Sequence, residues 1–84
     1  GKPSALLAGC GKMGGSLLRR WLADDRFSHV TVIEPFGLPD EFKGITHYTA
    51  AADIPPGKSF DLIILAVKPQ IMAEACAALK PYAS

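Results

Sequence analysis

The sequence predicts a single α/β domain built on a parallel β-sheet with the strand order 3-2-1-4. Short, continuous apolar segments alternate with a segment of helical periodicity, which is typical of strands covered on both faces of a sheet. The chain has 84 residues, enough for one hydrophobic core. Right-handed crossovers then give half of a doubly wound fold, with a ligand crevice between the first and fourth strands.

The first three predicted elements are a strand, a helix and a strand. Residues 4–8 form an apolar run that ends at a glycine, and they are predicted to be a buried strand. Residues 13–23 are predicted to be a helix because apolar side chains recur there at helical spacing. These side chains are Met13, Leu17, Leu18, Trp21 and Leu22. Residues 29–33 are rich in β-branched side chains, which favours a second strand.

The second half of the chain is predicted to add two strands and one helix. Residues 44–49 favour a short third strand, and the prolines in 50–59 leave room for at most one helical turn. Residues 61–67 are the strongest predicted strand. Pro69 stands at a natural first position of a helix that Pro81 would end. The expected apolar face of that helix comprises Ile71, Met72, Ala75, Cys76 and Leu79.

Composition excludes several classes of protein. The 9 basic and 8 acidic side chains give a net charge of +1, which argues against a nucleic-acid partner. No apolar run is long enough to span a bilayer, and no secretory signal is visible, so we expect neither a membrane partner nor secretion. The 2 cysteines cannot form a disulfide framework, which favours a cytoplasmic location. The cysteines and histidines are too scattered to predict a metal site.

A glycine motif, G-x-G-x-x-G, occupies Gly9–Gly14 between a predicted strand and a predicted helix. Gly9 would permit the tight turn, Gly11 would let a pyrophosphate approach the backbone, and Gly14 would let the helix lie close to the sheet. The amide groups of the helix N-terminus would face the phosphates. The motif therefore predicts a Rossmann-like dinucleotide-binding domain, and the alternative is a glycine-rich turn without a ligand.

Glu34 lies 20 residues after Gly14, at the end of the second predicted strand. An acidic side chain there accepts hydrogen bonds from the adenosine ribose hydroxyls. A 2′-phosphate about 4 Å away would meet a like charge, at a cost of up to about 4 kcal/mol. Glu34 therefore favours NAD(H) over NADP(H), unless it is only a solvated side chain at the end of a strand.

The hexapeptide Leu65-Ala66-Val67-Lys68-Pro69-Gln70 ends the fourth predicted strand, at the predicted crevice. Its small and β-branched residues would bring backbone close to a cofactor, and its lysine would direct a cation towards the crevice. The alternative is a strand-end lysine in solvent, followed by an ordinary helix-starting proline.

Together, the glycine motif and this hexapeptide resemble the N-terminal domain of pyrroline-5-carboxylate reductase, over essentially the whole chain. The resemblance implies an enzyme of proline biosynthesis that reduces 1-pyrroline-5-carboxylate to L-proline with NAD(P)H. It also implies two groups of cofactor-binding residues. The pyrophosphate would be held by Ala8, Gly9, Cys10, Gly11, Lys12 and Met13. The nicotinamide-ribose side would be lined by Ala66, Val67, Lys68 and Pro69.

This chain departs from the family pattern at one position, and part of what the resemblance implies lies outside residues 1–84. Members often carry serine or Asn-Arg-Ser after the second strand, where this chain has Glu34-Pro35. A polar residue near the adenine could be matched by Thr49 or Asp53. A helical C-terminal domain, absent from residues 1–84, would bind the imine substrate and form a homo-oligomer. No catalytic residue is therefore assigned, and we expect the 84-residue fragment to be inactive.

Other interpretations remain open. The domain could serve a deazaflavin-dependent NADP reductase or an imine reductase, or it could be a dinucleotide-binding module without catalysis. Cys10 has no histidine partner in the predicted topology, so we expect it to be a small packing residue rather than a nucleophile. Cys76 and Trp21, on the apolar faces of their helices, are expected in the core.

Overall fold

The computed structural model describes residues 1–83, and in them four parallel strands form a single sheet in the order β3-β2-β1-β4. This is the predicted strand order. The strands are β1 (Ser4–Ala8), β2 (His29–Ile33), β3 (Thr46–Tyr48) and β4 (Leu62–Leu65). The α-helices are α1 (Lys12–Asp24) and α2 (Met72–Leu79). Short 3-10 turns occupy Asp40–Phe42, Ala51–Asp53, Pro69–Ile71 and Lys80–Tyr82.

Each face of the sheet has its own apolar core, and the side chains of β1 contribute to both. Leu7 packs on the α1 side with Leu18 and Trp21, whereas Leu6 packs on the opposite side with Leu79 of α2. Successive side chains of a strand point to opposite faces, so the continuous apolar run of β1 supplies both cores. Both faces of the central strand are therefore covered, as the sequence predicts.

The carboxyl ends of all four strands meet at one edge of the sheet. Ala8 is in register with Ile33 of β2 and with Leu65 of β4. The amide of Gly9 donates to the carbonyl oxygen of Ile33 at 2.8 Å, and the amide of Ala66 donates to that of Ala8 at 2.8 Å. These bonds hold the segments that follow β1, β2 and β4 side by side, where a ligand can contact all three.

The C-terminal part of the chain differs most from the prediction. β4 covers Leu62–Leu65 rather than residues 61–67, and the segment from Pro69 forms a 3-10 turn before the α-helix begins at Met72. Cys76 was predicted in the core but is exposed. In α2 only Leu79 is buried, because β4 is the last strand of the described sheet and offers that helix little surface.

The apolar stripe of α1 is also only partly buried. Leu18 and Trp21 are in the core, and the Trp21 ring contacts that of Phe27 edge-on, with centroids 4.7 Å apart. Met13 and Leu22 are exposed instead. No helix within residues 1–83 has the length and apolar character needed to cross a bilayer.

Candidate functional site

A cleft of about 720 Å³ opens at the carboxyl edge of the sheet. Its walls come from the segments that follow all four strands and from the inner side of α2. Seven of the residues that the sequence analysis singled out line it together. They are Ala8, Gly9, Gly11, Glu34, Ala66, Val67 and Lys68.

The remaining five predicted residues do not line the cleft. Cys10 is buried behind the glycine turn, and Gly14 lies beneath Gly9. Lys12 and Met13 are exposed on the first turn of α1, and Pro69 begins the 3-10 turn after the lysine. Their backbone still shapes the site, because α1 and this turn both start at its rim.

Two glycines are required by the close packing of the turn after β1. Gly9 has a φ of +97°, in the region where a side chain is strained, and a Cβ there would lie 2.6 Å from the carbonyl oxygen of Ala66. A Cβ on Gly14 would overlap the carbonyl oxygen of Gly9. The turn thus lies directly against the end of β4, and the start of α1 lies directly against the turn.

Gly11 has a different environment, because a Cβ there would meet no atom within 4 Å. It lines the cleft and is the N-cap of α1, where it provides no side-chain cap for the amides of the first turn. Unpaired amides and the positive end of the helix dipole favour an anion. Open space beside such amides fits a pyrophosphate, and Gly11 leaves that space free of any side chain.

The carboxylate of Glu34 joins two loops. It is 9% exposed, and its Oε1 accepts a hydrogen bond from the amide of Cys10 at 2.7 Å. Its Oε2 accepts one from the amide of Phe36 at 3.1 Å. The ring Nε2 of His47 lies 2.8 Å from the backbone carbonyl oxygen of Glu34, and this contact ties the end of β2 to β3. Glu34 therefore sits at the expected position and also fastens the glycine turn to the loop after β2.

Cys10 has the character of a packing residue. Burial raises the pKa of its thiol above the ordinary value of 9.0, and the neighbouring Glu34 carboxylate raises that pKa further. The thiol therefore stays protonated and unreactive at neutral pH. This agrees with the prediction that Cys10 is a small side chain of the turn.

Further cleft residues come from loops that the sequence motifs do not include. Thr49 lines the cleft after β3, and its hydroxyl donates to Oδ2 of Asp53 at 3.0 Å. Two polar residues were suggested for the adenine site. Thr49 lines the cleft, whereas Asp53 does not line it but orients the Thr49 hydroxyl. Phe36 and Glu74 also line the cleft. No pattern in the sequence marks these two, because only the fold brings them to the same edge.

No three side chains of His, Cys, Asp or Glu within residues 1–83 are grouped closely enough to hold a metal ion. The described lining of the cleft combines the backbone of the glycine turn and the buried carboxylate of Glu34 with mostly apolar side chains. Its other polar side chains are Thr49, Lys68 and Glu74.

Comparison with known families gives a match to the family described as "NADP oxidoreductase coenzyme F420-dependent", over residues 4–84. Comparison with curated proteins and with solved structures gives no match. The family match spans the glycine turn, Glu34 and the segment after β4, so it includes the whole cleft. With its Rossmann-like fold, the chain belongs to this family of NAD(P)-dependent oxidoreductases.

Proposed function

We propose that this domain holds the nicotinamide dinucleotide of a reductase that converts 1-pyrroline-5-carboxylate into L-proline. One observation carries the proposal: the glycine turn and the Ala66–Lys68 segment, the two motifs of the resemblance, line one cleft. Family membership supports an NAD(P)-dependent oxidoreductase. The imine substrate is inferred from the residues of the two motifs.

The chain's own residues would bind and orient the cofactor. The first-turn amides of α1 beside Gly11 would hold the pyrophosphate, and Glu34 would accept hydrogen bonds from the adenosine ribose. Ala66, Val67 and Lys68 would line the nicotinamide-ribose side. The bound dinucleotide supplies the hydride, and the protein supplies its orientation.

Glu34 favours NAD(H). Each carboxylate oxygen already accepts one backbone hydrogen bond, and each has further acceptor capacity for a ribose hydroxyl. A 2′-phosphate close to this carboxylate would be repelled by up to about 4 kcal/mol. The family description names NADP, so the preference for NAD rests on Glu34 alone.

Substrate binding and assembly would involve a second part of the protein. We propose that a helical domain beyond this chain binds the imine and forms the homo-oligomer. The 84-residue chain would then bind the dinucleotide without turning over substrate.

Calorimetric titration of the chain with NADH and NADPH tests the cofactor proposal. We expect NADH to bind more tightly, and equal or tighter binding of NADPH would refute the preference. The reaction is tested on the full-length protein with 1-pyrroline-5-carboxylate and NADH, by following proline formation. Absence of proline together with retained NADH binding would contradict the substrate and leave the cofactor site intact.

The second candidate is a reductase that exchanges a hydride between NADP and the deazaflavin F420, which the description of the matched family favours. It predicts NADPH-dependent reduction of F420 by the full-length protein and no proline formation. A module that binds NADH but reduces neither compound would be the non-catalytic alternative.

A further inference from the structure

The side chain of Phe36 is 97% exposed, more than any other large apolar side chain in the part of the chain that the structure describes. Met13 follows at 71%, and the remaining exposed ones are near or below one half. An aromatic ring in water contributes nothing to either core. Packing within this domain therefore does not hold the ring in place.

The backbone that carries this ring is held in a defined turn. The amide of Phe36 donates to Oε2 of Glu34 at 3.1 Å, and the amide of Gly37 donates to the carbonyl oxygen of Glu34 at 3.3 Å. Pro35 restricts the backbone between them. Gly37 has a φ of +89°, so it continues the turn without strain. The ring is thus presented from a fixed loop.

The turn places Phe36 at the adenosine end of the cleft. Phe36 follows Glu34 by two residues, and both line the cleft. The proposed nicotinamide side, Ala66–Lys68, follows β4, which is separated from β2 by β1.

We infer that Phe36 is the residue on which the adenine base of the dinucleotide stacks. The inference rests on the proposed dinucleotide function and adds a cofactor-binding residue to it. Adenine is a flat aromatic base, and an aromatic side chain offers it a stacking surface that needs no hydrogen bonds. The ring is exposed in the free protein because its partner is the ligand.

The test measures the dissociation constants of NADH and ADP-ribose for the wild-type chain and for Phe36→Ala and Phe36→Tyr. ADP-ribose contains the adenosine end without the nicotinamide. We expect Phe36→Ala to weaken both ligands about tenfold and Phe36→Tyr to bind within about twofold of wild type. Leu22→Ala, which truncates an exposed apolar side chain on α1 away from the cleft, is the matched control and should bind as wild type.

Each other outcome has a distinct meaning. Wild-type affinity in Phe36→Ala, or a loss confined to NADH without one for ADP-ribose, would overturn the stacking role. If Phe36→Ala binds both ligands normally but changes the oligomeric state of the protein, Phe36 is a protein–protein contact, and the stacking role is overturned. Failure of the wild-type chain to bind either ligand would refute the proposed dinucleotide function. Urea unfolding of Phe36→Ala should match wild type, because the ring is outside the core.

Discussion

The carboxylate of Glu34 accepts a hydrogen bond from the backbone amide of Cys10 at 2.7 Å and so fastens the end of β2 to the turn after β1. The same carboxylate holds the amide of Phe36 at 3.1 Å. Glu34, which we expect to bind the adenosine ribose, therefore also holds the turn after β1 and the loop after β2 in position. The proposed preference for NAD(H) and the geometry of the two loops would therefore depend on the same side chain.

Replacing Glu34 with glutamine should destabilise the fold. The carbonyl oxygen of glutamine still accepts a hydrogen bond, but its NH2 group cannot, so one of the two backbone donors loses its partner. The charge that strengthens both bonds is also removed. We expect the free energy of unfolding to fall by about 1.5–3 kcal/mol in urea denaturation. Glu74→Gln is the matched control, because Glu74 lines the same cleft but is exposed. An unchanged urea midpoint in Glu34→Gln would show that these two hydrogen bonds contribute nothing to stability.

The same substitution should narrow the difference between the two cofactors. Without the carboxylate charge, the repulsion of the 2′-phosphate disappears, while the hydrogen bonds to the ribose hydroxyls of NADH weaken. We expect the ratio of the NADPH to the NADH dissociation constant to fall at least tenfold in calorimetric titrations. A ratio equal to that of wild type would mean that another group sets the preference.

Replacing Gly9 with alanine should lower the stability of the domain, whereas the same change at Gly11 should lower its affinity for NADH. Gly9→Ala places a Cβ 2.6 Å from the Ala66 carbonyl oxygen at a φ of +97°, and we expect a loss of about 1–3 kcal/mol in unfolding free energy. Gly11→Ala meets no atom within 4 Å, so its stability should be near that of wild type. Its NADH affinity should fall at least tenfold, because the methyl group occupies space proposed for the pyrophosphate. Full affinity in Gly11→Ala would place the pyrophosphate elsewhere.

The two cysteines should differ in reactivity. Cys76 is exposed, whereas Cys10 is buried and has a thiol pKa raised by burial and by Glu34. A raised pKa lowers the thiolate fraction at any given pH, so Cys10 should react slowly with Ellman's reagent at pH 8. We expect one fast thiol in the folded protein and two in urea, and Cys76→Ser should remove the fast phase. A fast phase that persists in Cys76→Ser would contradict the packing role of Cys10.

The ion pair between Arg19 and Glu41 should contribute stability only above acidic pH. The guanidinium donates to the carboxylate at 2.6 Å and 3.1 Å and lowers the pKa of Glu41 below its ordinary value of 4.5. Its contribution is therefore complete above that value and is lost as the pH falls through the lowered pKa. We expect Arg19→Gln to be less stable than wild type at pH 7, and the difference to shrink once Glu41 is protonated. The guanidinium also lies 5.8 Å from the centroid of the Phe42 ring, and that contact does not depend on the charge of Glu41. Arg20→Gln is the control, because it removes the same charge from an exposed position. Arg20 pairs with Asp24 at 3.3 Å, so we expect Arg20→Gln to lower the stability less than Arg19→Gln does.

Both the strand order and the position of the cleft were predictable from local patterns. Continuous apolar runs such as residues 4–8 require two covered faces, and right-handed crossovers leave few possible topologies. The positions of Gly9 and Gly14 in their motif likewise predict a tight turn, because their spacing reflects a local backbone path. These features depend on residue type and on short separations along the chain.

Features that depend on contacts between distant segments could not be predicted in this way. The partners of Glu34 are backbone amides, which every residue except proline carries, so no residue type reveals them. Helical periodicity places Cys76 on the same apolar face as Leu79, but in the structure Leu79 is buried and Cys76 is exposed, and this difference depends on how α2 lies beside the edge strand β4.

The sequence by itself determined the parallel sheet, its order and the motif residues at its edge, because these follow from local preferences and chain connectivity. Only the tertiary structure decided which side chains share the cleft, how Glu34 joins its two loops and why Phe36 faces solvent. The physical reason is that burial and hydrogen-bond partners depend on the packing of whole elements, which no short segment of the chain encodes.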